Sequence, residues 1–159
     1  MYVRGDAFAP SAFYPFCASQ PALCSSAGSV KSVRLTPQRE AELRAVNVSV
    51  NARIKEREDS GSSGRPDVWR VPTTSGDCED FAILKKRELI RRGWPSSALL
   101  LTTATLGGTG HTVLTVRTDK GDLIMDNRTN AVKNWTRTSY KYHARQSQSA
   151  NGKWTRIRL

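Results

Sequence analysis

Ser75-Gly76-Asp77-Cys78-Glu79-Asp80-Phe81-Ala82-Ile83-Leu84 passes from residues of poor helix propensity into an apolar run, with a thiol at the junction. Cys78 is expected in the first turn of a helix. There, backbone N–H groups without intrahelical acceptors and the helix dipole together stabilise a thiolate. The same N–H groups can donate to a developing oxyanion. The helical run reads from Phe81 to Arg92 and is stopped by Gly93 and Pro95. Its first turn is apolar on nearly every side and should be buried, whereas its later turns are basic.

Downstream, three segments read as strands: Ala98–Ala104, His111–Thr118 and Asp122–Asp126. Asp119-Lys120-Gly121 joins the last two as a hairpin. His111 follows a flexible-looking loop, Leu106–Gly110, and opens its strand, while Asp126 closes the returning one. Both therefore belong at the same end of a single hairpin. A carboxylate there would fix the imidazole tautomer and leave the other ring nitrogen for a thiol. Cys78, His111 and Asp126 in that order along the sequence make a nucleophile, base and orienter for acyl transfer, although each alone is as readily structural. His143 lies in a polar basic stretch without such company. Ser139–Arg145 and Trp154–Leu159 read as further strands.

Upstream, Thr36-Pro37-Gln38-Arg39-Glu40 has an N-cap threonine and proline at the first helical position. Leu43, Val46, Val50 and Ile54 then form the apolar stripe of a helix that is expected to end near Arg57. Ser60-Gly61-Ser62-Ser63-Gly64 reads as a mobile loop inside one domain, since residues 1–59 could not bury a core alone. Residues 1–30, with Pro10, Pro15 and Pro21, read as a loop-rich N-terminal arm, leaving 31–159 as a single domain. Helices followed by strands indicate an α+β fold, with helices on an antiparallel sheet.

Cys17 and Cys24 flank six residues, short enough for a local bridge. A zinc site would need two further ligands, and the sequence has only His111 and His143. A disulfide is the better reading and implies an oxidising compartment, with Cys78 left as a free thiol. Asp77, Glu79 and Asp80 surround that thiol. They serve either as helix caps or, being clustered oxygen donors, as a calcium site. Trp69, nine residues before Cys78, reads as a core residue in preference to a cover over the site.

The 159 residues are 38% hydrophobic, enough for one real core, and no apolar run reaches the roughly 18 residues of a membrane helix. Residues 1–12 hold no apolar segment of a signal peptide, so an exported protein would be represented here by its processed form. The net charge of +11 is uneven: residues 81–159 carry fifteen basic and four acidic side chains. Lys85, Lys86, Arg87, Arg117, Arg137, Arg145 and their like are scattered and lack aromatic interleaving. This favours solvated surface or attraction to a protein partner over nucleic acid.

The stretches Gly76–Ala82, Gly110–Gly121 and Leu123–Arg128, with Val46–Asn51 and Arg145–Ser149, resemble the bacterial transglutaminase-like cysteine peptidases, the LapG-like periplasmic proteases. The resemblance runs from about Phe13 to the C-terminus. It implies a papain/transglutaminase-like fold with Cys78, His111 and Asp126 as triad. It also implies calcium on Asp77, Glu79 and Asp80, and cleavage of a protein substrate such as a large surface adhesin. A cyclic-di-GMP receptor of the inner membrane would be the regulator. Two rivals share the sequence: a transglutaminase or amidase with the same triad, and a non-catalytic calcium- or partner-binding module.

Overall fold

The computed structural model describes residues 1–57 and 68–158; the Ser60–Gly64 expectation lies outside them. Helix α4, Cys78–Arg91, begins at the thiol itself, three residues earlier than its apolar pattern suggests. Asp77 is its N-cap and forms a capping box with Asp80, whose Oδ2 accepts from the Asp77 N–H at 3.2 Å. Gly76 permits this tight entry, because a Cβ there would lie 2.7 Å from that of Asp80.

Helix α3, Pro37–Arg53, packs against α4 and starts as expected, with Thr36 Oγ1 accepting from the Arg39 N–H at 3.2 Å. Its stripe of Leu43, Val46 and Val50 enters the main core, as does Ile54 just beyond it. A short parallel pair, β2 (Lys55–Glu56) with β3 (Ser75–Gly76), ties the end of α3 to the approach of α4.

The remaining strands form one sheet in which every pairing is antiparallel. They are β1 (Tyr2–Ala7), β4 (Leu99–Leu106), β5 (Thr109–Thr118), β6 (Gly121–Met125), β7 (Lys133–Asn134), β8 (Lys141–Gln146) and β9 (Trp154–Arg158). Their order is β1-β9-β8-β4-β5-β6-β7. Helix α4 packs on β4 and β5, burying Phe81, Ile83, Leu84 and Leu89 with Leu99, Leu101, Leu114 and Val116. A smaller cluster of Ala104, Val113, Ile124, Tyr142 and Ile157 forms separately. Strand alternation supplies both, since Val113 and Leu114 are neighbours on opposite faces.

Four sequence expectations need correction. The N-terminal arm is not mainly loop: it contains β1, α1 (Phe13–Ser19) and α2 (Pro21–Cys24). Its prolines mark the starts and bends of short elements, and Phe13, Phe16 and Leu23 enter the main core. Leu106–Gly110 is no loose loop either. Only Gly107 and Gly108 turn, with φ of +56° and +81°, as a two-residue primed hairpin turn requires. Lys85 and Lys86 are fully buried on α4, not on solvated surface. Arg145 is buried as well, 3.6 Å from Asp122.

Candidate active site

Cys78, at the head of α4, is half-buried and its thiol is free. Its sulfur accepts from the Thr112 N–H at 3.3 Å and lies 3.4 Å from Glu79 Oε2. The strand that carries the histidine therefore also holds the sulfur, through the next backbone N–H along β5.

His111 is buried, with Nε2 2.8 Å from Asp126 Oδ1. That leaves Nδ1 as the ring nitrogen available to Cys78, which lines the same cleft. The register produces the meeting: β5 pairs His111 with Ala104 on one side and Leu114 with Met125 on the other. His111 and Asp126 thus emerge at one end of the hairpin, as the sequence indicated. Burial alone would lower the imidazole's pKa, but the Asp126 and Cys78 contacts outweigh it and raise it to about 9. Asp126 shows the mirror case. Burial opposes its charge, yet bonds from His111, Tyr140 and the Arg128 N–H (3.1 Å) hold the carboxyl below its ordinary range.

Tyr140 is the residue that sequence reasoning missed. Its hydroxyl donates to Asp126 Oδ2 at 2.5 Å, and its ring stacks on His111 with centroids 5.2 Å apart and planes 20° from parallel. Burial, then the Asp126 carboxylate, push its phenol pKa well upward, so it stays a donor. Two asparagines were also missed in this role. Asn51 Nδ2 donates to the Asp126 carbonyl at 3.0 Å, and Asn47 Nδ2 donates to the Thr129 carbonyl at 3.0 Å. They stand one turn apart on α3 and pin the loop after β6. Polar residues at that spacing beside an apolar stripe were the available signal.

Asp77, Glu79 and Asp80 each offer a carboxylate oxygen, and these atoms lie within 4.8 Å of one another. Glu79 and Asp80 are buried, and Asp77 is half-buried. Asp80 Oδ1 also accepts from the Arg70 N–H at 3.1 Å. An all-oxygen donor set of three negative charges fits a hard cation such as calcium and fits poorly with softer metals.

Trp69 is buried among Phe13, Phe16 and Trp154, as a core residue, and also forms part of the cleft wall. That cleft, about 360 Å³, is lined by Cys78, His111, Thr103, Gly110 and Arg128 among others. His143 is exposed, bonded to Thr105 Oγ1 at 2.9 Å, and stands outside the site. The Cys17–Cys24 disulfide links α1 to α2 across a Cα separation of 5.1 Å.

The chain superposes on Legionella pneumophila LapG in its calcium-bound form with a TM-score of 0.63 and 25% identity. The match covers 95% of this chain and 84% of that one. A second Legionella pneumophila LapG structure gives 0.62 and 25%, over 93% and 81%. An EGTA-treated one gives 0.62 and 24%, over 95% and 81%. No curated protein matches the sequence significantly. The family description "bacterial transglutaminase-like cysteine proteinase BTLCP" matches residues 3–159. With the helix-borne thiol, the hairpin-borne imidazole and the sheet as described, the chain belongs to the bacterial transglutaminase-like cysteine proteinases and is a cysteine peptidase with a protein substrate.

Proposed function

We propose that Cys78, His111 and Asp126 are the catalytic triad of an exported endopeptidase. The observation that carries this reading is the imidazole held by Asp126 at 2.8 Å, with its other ring nitrogen left for Cys78 in the cleft that both residues line. Cys78 gives its proton to His111 Nδ1, and the thiolate attacks the peptide carbonyl. The Cys78 N–H at the helix start supports the oxyanion. The imidazolium returns its proton to the leaving amine, giving a thioester. Water, deprotonated by His111, then releases the acid and restores the thiol. Asp126 keeps the ring oriented throughout.

Asp77, Glu79 and Asp80 would hold calcium beside the nucleophile, supplying positive charge that lets three carboxylates share one helix start. Calcium in a structural neighbour and the oxygen donor set support this. The compartment is the periplasm: the disulfide suits an oxidising space, and among the described residues no helix is long and apolar enough to cross a membrane. The substrate is a surface or periplasmic protein such as a large adhesin, and an inner-membrane cyclic-di-GMP receptor restrains the enzyme. The family resemblance supports both.

The test compares native and Cys78→Ala protein in the host by mapping new N-termini among exported proteins. A cleavage product present only with the native enzyme is expected, and its loss in His111→Ala should match. Calcium should raise the melting temperature increasingly with concentration, and more than magnesium does. Identical N-termini in native and Cys78→Ala hosts would reject the triad. Equal melting with calcium and with EGTA would leave the three acids as helix caps only.

A further inference from the structure

Asp126 stands one residue beyond the last rung of its ladder, Leu114 with Met125, so the sheet no longer fixes its backbone. Asn51, in the last turn of α3, holds it instead. The two hydrogens on its Nδ2 are shared among the Asp126 carbonyl at 3.0 Å, the Thr129 carbonyl at 3.1 Å and Asn130 Oδ1 at 3.2 Å. All three acceptors lie in the loop after β6 and none on α3, and asparagine is a weak helix former. Its place in the helix is therefore tertiary in origin. A few residues on, the same stretch of chain reaches the nucleophile's side. The Lys55 N–H of β2 donates to the Thr74 carbonyl at 2.8 Å, and the Arg57 N–H donates to the Gly76 carbonyl at 2.7 Å. Gly76 ends β3 two residues before Cys78, so these bonds set where α4 begins.

Resting on the triad assigned above, we infer that the segment from Asn51 to Arg57 is a positioning element that spaces Cys78 from the His111–Asp126 pair. Asn51 acts on the orienter, and the Arg57 N–H acts on the approach to the nucleophile. The two halves of the site also meet through the packing of α4 on β5 and the 3.3 Å contact from the Thr112 N–H to the sulfur. Apolar packing is non-directional and resists separation better than it resists sliding. Directional bonds from one short segment to both halves fix them against a common frame. Transfer of the Cys78 proton to the imidazole depends on that spacing, since a misplacement of about 1 Å can cost on the order of a hundredfold in rate.

With Cys17 and Cys24 bridged, Cys78 is the one thiol that iodoacetamide can label, and its alkylation rate against pH is the test. Native protein, Asn51→Ala, Arg57→Pro, Thr36→Ala and His111→Ala are compared, each below its own melting transition. At pH 7 the native thiol should react about tenfold faster than that of His111→Ala, because the imidazole takes its proton. Asn51→Ala and Arg57→Pro should each lose roughly five- to tenfold of the native rate at pH 7. Both should match it at pH 10, where a thiol ionises without help. Proline suits position 57 because Glu56 before it is already extended, and it removes the N–H that Gly76 accepts. Thr36→Ala deletes the cap at the far end of α3; it should lower the melting temperature by about 2–4 °C and leave the alkylation profile unchanged. Mere loosening of the fold would speed alkylation at every pH, the opposite sign. A native or faster profile in Asn51→Ala or in Arg57→Pro overturns the positioning element and leaves the triad in place. Equal rates at pH 7 in native protein and His111→Ala would instead overturn the triad reading, and this inference with it.

Discussion

At the scale of single residues, the site is a relay of buried contacts in which Tyr140 and His111 answer different questions. Tyr140→Phe keeps the ring that stacks on His111 and removes only the hydroxyl that Asp126 Oδ2 accepts. A bond to an ionised group is worth about 1.5–3 kcal/mol, so kcat should fall by roughly ten- to a hundredfold. KM should hold, because the hydroxyl is engaged with Asp126 and Tyr140 does not line the cleft that holds Cys78. Asp126→Asn removes the strongest contact that raises the imidazole's pKa. In the native enzyme, kcat/KM should decline as pH rises through about 9, where His111 loses its proton. In Asp126→Asn that decline should begin at lower pH, with residual turnover. Steady-state pH profiles on one fluorogenic peptide check both; an unmoved alkaline limb in Asp126→Asn would separate the carboxylate from the histidine. The meeting of Cys78, His111 and Asp126 was legible in sequence because each sits at an element boundary marked by glycine or by a strand end. Tyr140 was not, since nothing local to Ser139-Tyr140-Lys141 foretells a hydroxyl meeting a residue fourteen positions earlier.

At the scale of elements, α4 buries more than apolar side chains. Lys86 Nζ donates to the Ser25 carbonyl at 2.9 Å and to Gln146 Oε1 at 3.0 Å. Among the described residues, Lys85 has only the Phe81 ring, 5.8 Å away, and the charge of Asp126. Burial lowers both amines to about 7, with Asp126 partly opposing this at Lys85. The unfolded state therefore holds more protons between about pH 7 and 10.5, and these two groups make stability rise with pH across that window. Lys85→Met should raise the melting temperature by roughly 3–6 °C at pH 6. The gain should shrink toward zero near pH 10, which thermal melts across pH would show. A destabilised Lys85→Met at pH 6 would mean that the ammonium is needed for packing around Asp126. The helix itself was readable from its caps and apolar run. Its buried lysines were not, because a basic later turn normally signals solvent, and only the packing of the surrounding elements, α3, β4, β5 and the segment that carries Ser25 among them, removes the water.

At the scale of the whole molecule, the sheet and the two long helices were legible through their periodicities, while the N-terminal segment was not. Tyr2–Ala7 is largely exposed and shows no alternation; it becomes a strand because β9 offers it an edge. The short helices behind it are held by the Cys17–Cys24 bridge, which closes so small a loop that its loss should cost about 2 kcal/mol. Chemical denaturation of Cys17→Ser/Cys24→Ser should show that loss with an unchanged alkylation rate at Cys78, whose environment lies on other elements. A large change in that rate would tie the bridge to the nucleophile. The β4–β5 turn carries a consequence of another kind. A Cβ on Gly107 or Gly108 would meet nothing within 4 Å, so any cost of substitution there lies in the positive φ alone. Yet that turn fixes the register that sets His111 opposite Ala104, and a slip of one residue would flip the imidazole to the other face. In genetic terms, loss-of-function alleles should accumulate at two glycines that touch no reacting atom, with asparagine and aspartate the best tolerated replacements.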